Sequence, residues 1–310
     1  MYKKLRDKLI TTRIMASMFT VKILNRFGFN VASTSDYYSV LPVTSVLKQN
    51  QDRWFKPSDL AGVRYDLPQM KGLLSSLTTE YFDEYNALPT YAENQRQGYG
   101  PGYTAVDARV LYYMLRELKP ERYIEVGSGL STFYCSLANQ SNSAAGSPMQ
   151  ITCIEPYPYP ALQSIDNIQL LEDEVQNIPL SVFGQLEAND VLFIDSSHVI
   201  KIDGDVPYLF LEVLPRLKKG VVVHVHDIPF PYNVPYPPEL WIFGQQWPSF
   251  WNEAMLLQAF LCYNDAYEIL LSTPLLRYNE ESFLLGLIPE YETVSENRNA
   301  FSSIWLRKIR

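Results

Sequence analysis

The sequence predicts an α/β fold: a doubly wound, mostly parallel sheet with an antiparallel last strand, set behind an N-terminal helical and irregular extension. Three observations predict it. From about residue 105 short apolar runs alternate with stretches of helical spacing, as repeated βαβ units require. Four successive runs end on carboxylates, namely Glu155, the group Glu172-Asp173-Glu174, Asp195 and Asp227, at the edge where open α/β sheets bind ligands. The final run, Ser302 to Ile309, carries the two-sided apolar pattern suited to antiparallel insertion.

Taken in order, residues 1–30 carry a formal charge of +6 and leave −14 on the remainder of the chain. Leu5, Leu9, Ala16, Ile23 and Phe27 fall on one face of a helix. The apolar run from Ile14 to Val21 is short and bracketed by Arg13 and Lys22, so neither an export signal nor a membrane span is expected. The basic amphipathic helix is expected to pack on protein, either its own body or a second subunit of a homo-oligomer. The alternative is a peripheral membrane contact. From Ser33 to Pro101 the sequence is irregular and aromatic, with extended segments over 36–42 and 52–57 and a helix from Leu67 to Tyr85 that turns Leu73, Leu74, Leu77 and Tyr81 inward. Residues 1–98 are expected to form an extension and aromatic cap, and residues 99–310 the ligand-binding domain.

Tyr99-Gly-Pro-Gly-Tyr103 is a turn into a helix over 105–118 that stops before Pro120. Tyr123, Ile124 and Val126 then form a strand, Gly127-Ser128-Gly129 a tight turn, and Leu130, Phe133, Tyr134 and Leu137 the inward face of a helix. Glycine suits such a turn because it takes unusual backbone angles and lets a ligand approach the main chain. Strands follow over 151–154, 168–171, 190–194 and 221–226, with a helix over 206–217 closed by Lys218, Lys219 and Gly220. The proline-rich segment 228–238 reads as a stiff lid. A helix over 251–260 and a strand over 267–272 complete the pattern.

With 47% apolar residues the chain can fill a large core. The acidic body excludes a nucleic-acid groove, which needs clustered positive charge. Cys135, Cys153 and Cys262 have neither metal nor disulfide spacing; they are expected to be free thiols in a reducing compartment, the cytoplasm.

Two ligand classes use a strand, a glycine turn and an acid at the end of the next strand: dinucleotides and S-adenosylmethionine. In both the acid, here Glu155, accepts hydrogen bonds from ribose hydroxyls. The dinucleotide fingerprint also wants a third glycine for close helix packing, and this chain has Thr132 there.

The segments Glu125-Val-Gly-Ser-Gly-Leu-Ser-Thr132, Ile154-Glu-Pro156 and Leu192-Phe-Ile-Asp-Ser-Ser-His198 resemble class I S-adenosylmethionine-dependent methyltransferases. The nearer likeness is to the branch of macrocin-type and other sugar O-methyltransferases and catechol-type relatives, and it spans roughly residues 99–310. The resemblance implies a Rossmann-like sheet of seven strands and O-methylation of a small or carbohydrate-like acceptor. It implies Glu125, Gly127, Ser128 and Gly129 around the methionine part, Glu155 on the ribose, Glu174 with Val175 at the adenine edge, and Asp195 beside the cofactor. It also implies Mg2+ or another divalent metal on Asp195 and Asp227, with His226 as a less usual third ligand.

All three histidines, His198, His224 and His226, fall at the ends of the fourth and fifth strands. Methyl transfer to a hydroxyl needs alignment and a base, and His198 is the expected general base, with His226 beside it as a second catalytic candidate. The alternative for His198 is a loop histidine bonded to Asp195 for structure alone. His224 is expected to be a satisfied core histidine. Tyr232, Tyr236 and Trp241 are expected either to stack on the acceptor or to pack the loop, and Lys201, Asp203 and Asp205 either to shape the acceptor pocket or to face solvent. The competing functional readings are a NAD(P)-dependent oxidoreductase and a non-catalytic scaffold on the same fold.

Overall fold

The computed structural model of the chain describes residues 18–31, 33–34, 37–292 and 302–310. The chain divides into two units, Met1–Trp54 and Phe55–Arg310, so the boundary expected at residue 98 falls inside the second. Within the first, residues 18–26 are helical; Leu5, Leu9 and Ala16 of the expected apolar face lie outside the described residues. The extended segment expected from Asp52 is instead a helical turn, Gln51–Trp54. The Trp54 indole N–H donates to the Leu47 carbonyl at 2.8 Å, folding the turn back onto the helix Thr44–Gln49.

The second unit opens with α1, Leu67–Asn86, started by the Asp66 side chain on the Gln69 amide and by Pro68 in the first turn. Its buried side, Met70, Leu74, Leu77, Tyr81 and Tyr85, packs on α2, Ala105–Leu118. Thr104 caps α2, and Lys119 ends it in the left-handed conformation, with φ +46°, before Pro120. Between these helices the buried Arg109 guanidinium donates to Glu290 at 2.7 Å, Tyr113 at 2.8 Å and Asn86 at 2.8 Å. It also lies 4.2 Å from the Tyr85 ring centroid, so this buried charge is both paired and stacked.

The sheet contains β1 Arg122–Val126, β2 Gln150–Ile154, β3 Ile168–Leu171, β4 Val191–Ile194, β5 Val222–Val225, β6 Tyr267–Ser272 and β7 Ile304–Lys308, in the order β3-β2-β1-β4-β5-β7-β6. The strands from β3 to β5 pair in parallel, while β7 runs antiparallel between β5 and β6. The order reverses between β1 and β4, and ligand sites of open sheets lie at such a point. α3, Leu130–Ala144, packs beside α2. α4, Glu253–Leu261, starts two residues later than expected, and α5, Thr273–Leu287, follows β6 directly on a Ser272 cap. The helix expected over 206–217 is broken into an α turn over Asp205–Tyr208, a π turn over Leu209–Val213 and a 3-10 turn over Leu214–Arg216. Pro215 has no N–H to donate to the Leu211 carbonyl, so the regular ladder cannot run through it. Among the described residues no helix is long and apolar enough to cross a membrane.

Candidate functional site

The site is built where β1 and β4 end side by side. Asp195 N–H donates to the Val126 carbonyl at 2.8 Å, and Gly127 N–H to the Ile154 carbonyl at 3.0 Å. Gly127 has φ +83°, and a Cβ there would stand 1.9 Å from the Asp195 carbonyl oxygen, so both backbone angle and space demand glycine. Gly129 is extended, and its constraint is proximity, with the Tyr99 carbonyl 2.8 Å from where a Cβ would lie.

Glu125 is fully buried under this turn. Its carboxyl accepts from the Ser131 hydroxyl and, at 2.7 Å, from Thr132. Thr132 in turn accepts from Gly129 N–H at 3.0 Å, so Glu125 reaches the glycine turn through Thr132. Burial pushes the Glu125 carboxyl up to about 8, although the Ser131 and Thr132 hydroxyls pull the other way. Thr132 therefore stands where the dinucleotide fingerprint would place glycine, and it occupies a helix N-terminal amide that a pyrophosphate would use.

Glu155, at the tip of β2, spans to the same turn and accepts from Ser128 N–H at 3.1 Å and from Tyr157 N–H at 2.8 Å. At the end of β3 Glu174 is exposed and Val175 is buried; the Gln176 side chain donates to Glu174 at 2.8 Å.

At the tips of β4 and β5 the acids and imidazoles meet. One ligand atom each from Asp195, His198 and Asp227 lie within 4.8 Å of one another. His198 Nε2 is 3.3 Å from Asp195 and 3.4 Å from Asp227. His226 Nδ1 stands 3.4 Å from Asp195 and 3.8 Å from Asp227. Its Nε2 faces Asp107 at 3.3 Å and the Ser302 hydroxyl at 3.2 Å. His198 and Asp227 both hold φ near +60°, at +60° and +56°, a conformation that costs a non-glycine residue roughly 1–3 kcal/mol and tends to persist at functional sites. Burial pulls the His198 imidazole down, but Asp195, Glu253 and Asp227 outweigh it and push it up to about 10. Burial likewise opposes charge on His226, which Asp227, Asp195 and Asp107 nevertheless hold well above its ordinary value. Burial raises Asp195, yet His226 and His198 hold it well below the usual carboxylate range; for Asp227 burial prevails and the carboxyl is raised.

The donor chemistry fits a divalent cation. Two carboxylates and an imidazole converge there; the carboxylates suit magnesium or manganese, and the imidazole suits iron or zinc better than magnesium. The protons that two carboxylates hold on a buried imidazole are the ones a cation would displace.

Asp227 also lines a cavity of about 1080 Å³ whose walls include Tyr232, Tyr236, Trp241, Trp251 and Tyr278. The three lid aromatics singled out from the sequence thus come together around one space. Asp205 accepts from the Ser197 amide and hydroxyl at 2.6 Å each, and so ties down the loop that carries His198. His224 is core, stacked on Trp305 with centroids 4.0 Å apart. It is not the satisfied histidine expected, because among the described residues neither ring nitrogen has a hydrogen-bond partner. Burial keeps it neutral, well below the ordinary histidine value.

Sequence reasoning missed Asp107, Glu253 and Trp251. Asp107 reads as the acid three residues after the Thr104 cap, and it accepts from the Thr104 hydroxyl at 2.7 Å. Glu253 reads as an acid in a first helical turn, and nothing in the chain links it to a histidine fifty-five positions earlier.

A family model described as a methyltransferase domain matches residues 124–228. An uncharacterized protein of Archaeoglobus fulgidus is 24% identical over 164 residues, covering 49% of this chain and 72% of that one. Among solved structures, a putative O-methyltransferase from Klebsiella pneumoniae aligns with TM-score 0.46 and 14% identity, over 78% of this chain and 99% of that one. The O-methyltransferase from Bacillus cereus in complex with SAH aligns with TM-score 0.44 and 10% identity, over 78% and 100%. The matched segment runs from β1, through the glycine turn, Glu155 and the Asp195 loop, to the residue after Asp227, so the similarity to a methyltransferase domain covers the strand ends that carry the site.

Proposed function

We propose that the protein transfers the methyl group of S-adenosylmethionine to a hydroxyl oxygen of a small or carbohydrate-like acceptor, as in the macrocin-type branch. One observation carries this reading. The carboxylate and imidazole cluster has Asp195 against the glycine turn on one side and Asp227 in the wall of the aromatic cavity on the other. A cofactor over the turn and an acceptor in the cavity would therefore meet at the cluster. The match of residues 124–228 to a methyltransferase domain supports the choice of cofactor. The Thr132 hydroxyl on the Gly129 amide weighs against the oxidoreductase alternative.

In this reading Gly127, Ser128 and Gly129 lie along the methionine part, Glu155 turns to the ribose hydroxyls, and Glu174 with Val175 borders the adenine. The displacement at a sulfonium methyl asks for alignment and for removal of the hydroxyl proton. His198 or His226, whichever does not ligate the cation, would take it. The facing carboxylates favour the charged form of both imidazoles, which makes a poor base. Asp195 and Asp227, with His198 or His226, would hold a divalent cation, which when bound would supply positive charge to displace those protons and acidify a nearby hydroxyl. The aromatic walls exclude water and give flat faces for a ring-bearing acceptor.

The test is a labelled methyl-transfer assay against a panel of hydroxylated sugars and phenols, run with His198→Ala alongside. The reading expects His198→Ala to lose turnover while binding S-adenosylhomocysteine within about twofold of wild type. Equal turnover by the variant on an accepted substrate would remove His198 from the mechanism.

A further inference from the structure

Behind His198, opposite the nitrogen that faces Asp195 and Asp227, lies another buried carboxyl. Glu253, the first residue of α4, is 2% exposed. Its Oε2 is 2.8 Å from His198 Nδ1, and its Oε1 accepts from the Ser196 hydroxyl at 3.4 Å. The start of α4 grips the same loop by other means as well. The Asn252 and Glu253 amides donate to the His198 carbonyl at 2.9 and 3.1 Å, and the Asn252 side chain accepts from Ile200 N–H at 2.6 Å. Trp251 lies against the imidazole with centroids 4.6 Å apart. The backbone bonds and Asn252 already fasten the loop, so the Glu253 carboxyl is left to act on the ring.

We propose that Glu253 is a positioning residue: it takes the Nδ1–H of His198 and thereby presents the Nε2 lone pair to Asp195 and Asp227 as a ligand for a divalent cation. A neutral imidazole has one N–H and one lone pair, so fixing the proton on Nδ1 leaves Nε2 to coordinate. A carboxylate behind a ligating histidine fixes both the tautomer and the ring plane, and losing it typically weakens metal binding 10- to 100-fold. The inference rests on the methyltransferase reading only for what the cation is used for; its binding is measured separately.

The experiment titrates the full chain and its Glu253→Gln and Glu253→Asp variants with ZnCl2 by calorimetry, taking Asp195→Asn as the baseline for zinc held elsewhere. It also records two-bond 1H–15N spectra of 15N-histidine protein saturated with Zn2+, where only three histidines contribute. Expected are Nδ1–H on His198 in the wild type, about 10- to 100-fold weaker zinc binding in Glu253→Gln, and a smaller loss in Glu253→Asp. Zinc binding by Glu253→Gln equal to wild type overturns the proposal, as does a His198 proton on Nε2 or a wild type that binds no more zinc than Asp195→Asn. Should the Gln variant not fold, Glu253→Asp decides: weaker zinc binding than wild type supports the proposal and equal binding overturns it. S-adenosylhomocysteine binding is followed in parallel, so a failure of the methyltransferase reading shows there and leaves the zinc result standing.

Discussion

Replacing Gly127 by alanine tests the turn on which the site is built. The new methyl group would lie 1.9 Å from the Asp195 carbonyl oxygen, at a residue with φ +83°. A carbon and an oxygen in ordinary contact need more than 3 Å, so the ends of β1 and β4 would have to part by about 1 Å or more in a close-packed interior. The left-handed backbone costs an alanine roughly 1–2 kcal/mol, and the forced separation about 1–3 kcal/mol. Together these give a loss of roughly 2–5 kcal/mol, or about 3–8 °C of melting temperature for a chain of this size. Because Asp195 moves with the strand end, affinity for S-adenosylhomocysteine should fall at least tenfold by calorimetry. The control is Gly72→Ala, since Gly72 lies inside α1 with nothing within 4 Å of the new methyl group. That change should stabilise by about 0.5–1 kcal/mol. A Gly127→Ala protein that melts within 1 °C of wild type and binds S-adenosylhomocysteine as tightly would refute this account of the turn.

Three further outcomes follow from the same contacts. The Glu125 carboxyl sits near 8 in the folded protein against about 4.5 when solvated, so its favourable protonated form is fully present below the lower value and is lost as pH rises through the upper one. In urea unfolding, the wild-type advantage over Glu125→Gln should shrink between pH 5 and pH 9, by at most about 1.4 kcal/mol per pH unit; a constant difference would contradict the assignment. Saturating Mn2+ at a hundred times its dissociation constant should stabilise the wild type by about 2.7 kcal/mol, reversibly with chelator. Asp195→Asn and Asp227→Asn should each abolish most of that shift. Arg109→Ala, which strips Glu290, Tyr113 and Asn86 of a buried donor, should cost roughly 3–5 kcal/mol in the same unfolding assay.

The sheet was legible because apolar runs bounded by glycine, proline and acids leave little choice of element, and β1 to β5 come out within a residue or two of their expected ends. Local signals failed where a distant partner decides the conformation. Residues 51–54 fold back through a tryptophan bond to Leu47, and the helix after Asp205 breaks at a proline that periodicity alone does not register. For the site, strand-end position sufficed to bring Asp195, His198, His226 and Asp227 together, since residues at the tips of adjacent parallel strands must be neighbours. It did not reveal Glu253 or Asp107. Both approach from helices packed onto the sheet, a matter of tertiary packing that no spacing in the chain encodes.

The central claim is that the glycine turn between β1 and α3 receives an adenosyl sulfonium and no dinucleotide. Calorimetry of the full chain with S-adenosylhomocysteine and, separately, with NAD tests it most directly. The account predicts saturable one-to-one binding of S-adenosylhomocysteine that Gly127→Ala weakens, and no measurable heat with NAD. Binding of NAD with S-adenosylhomocysteine inert would contradict it.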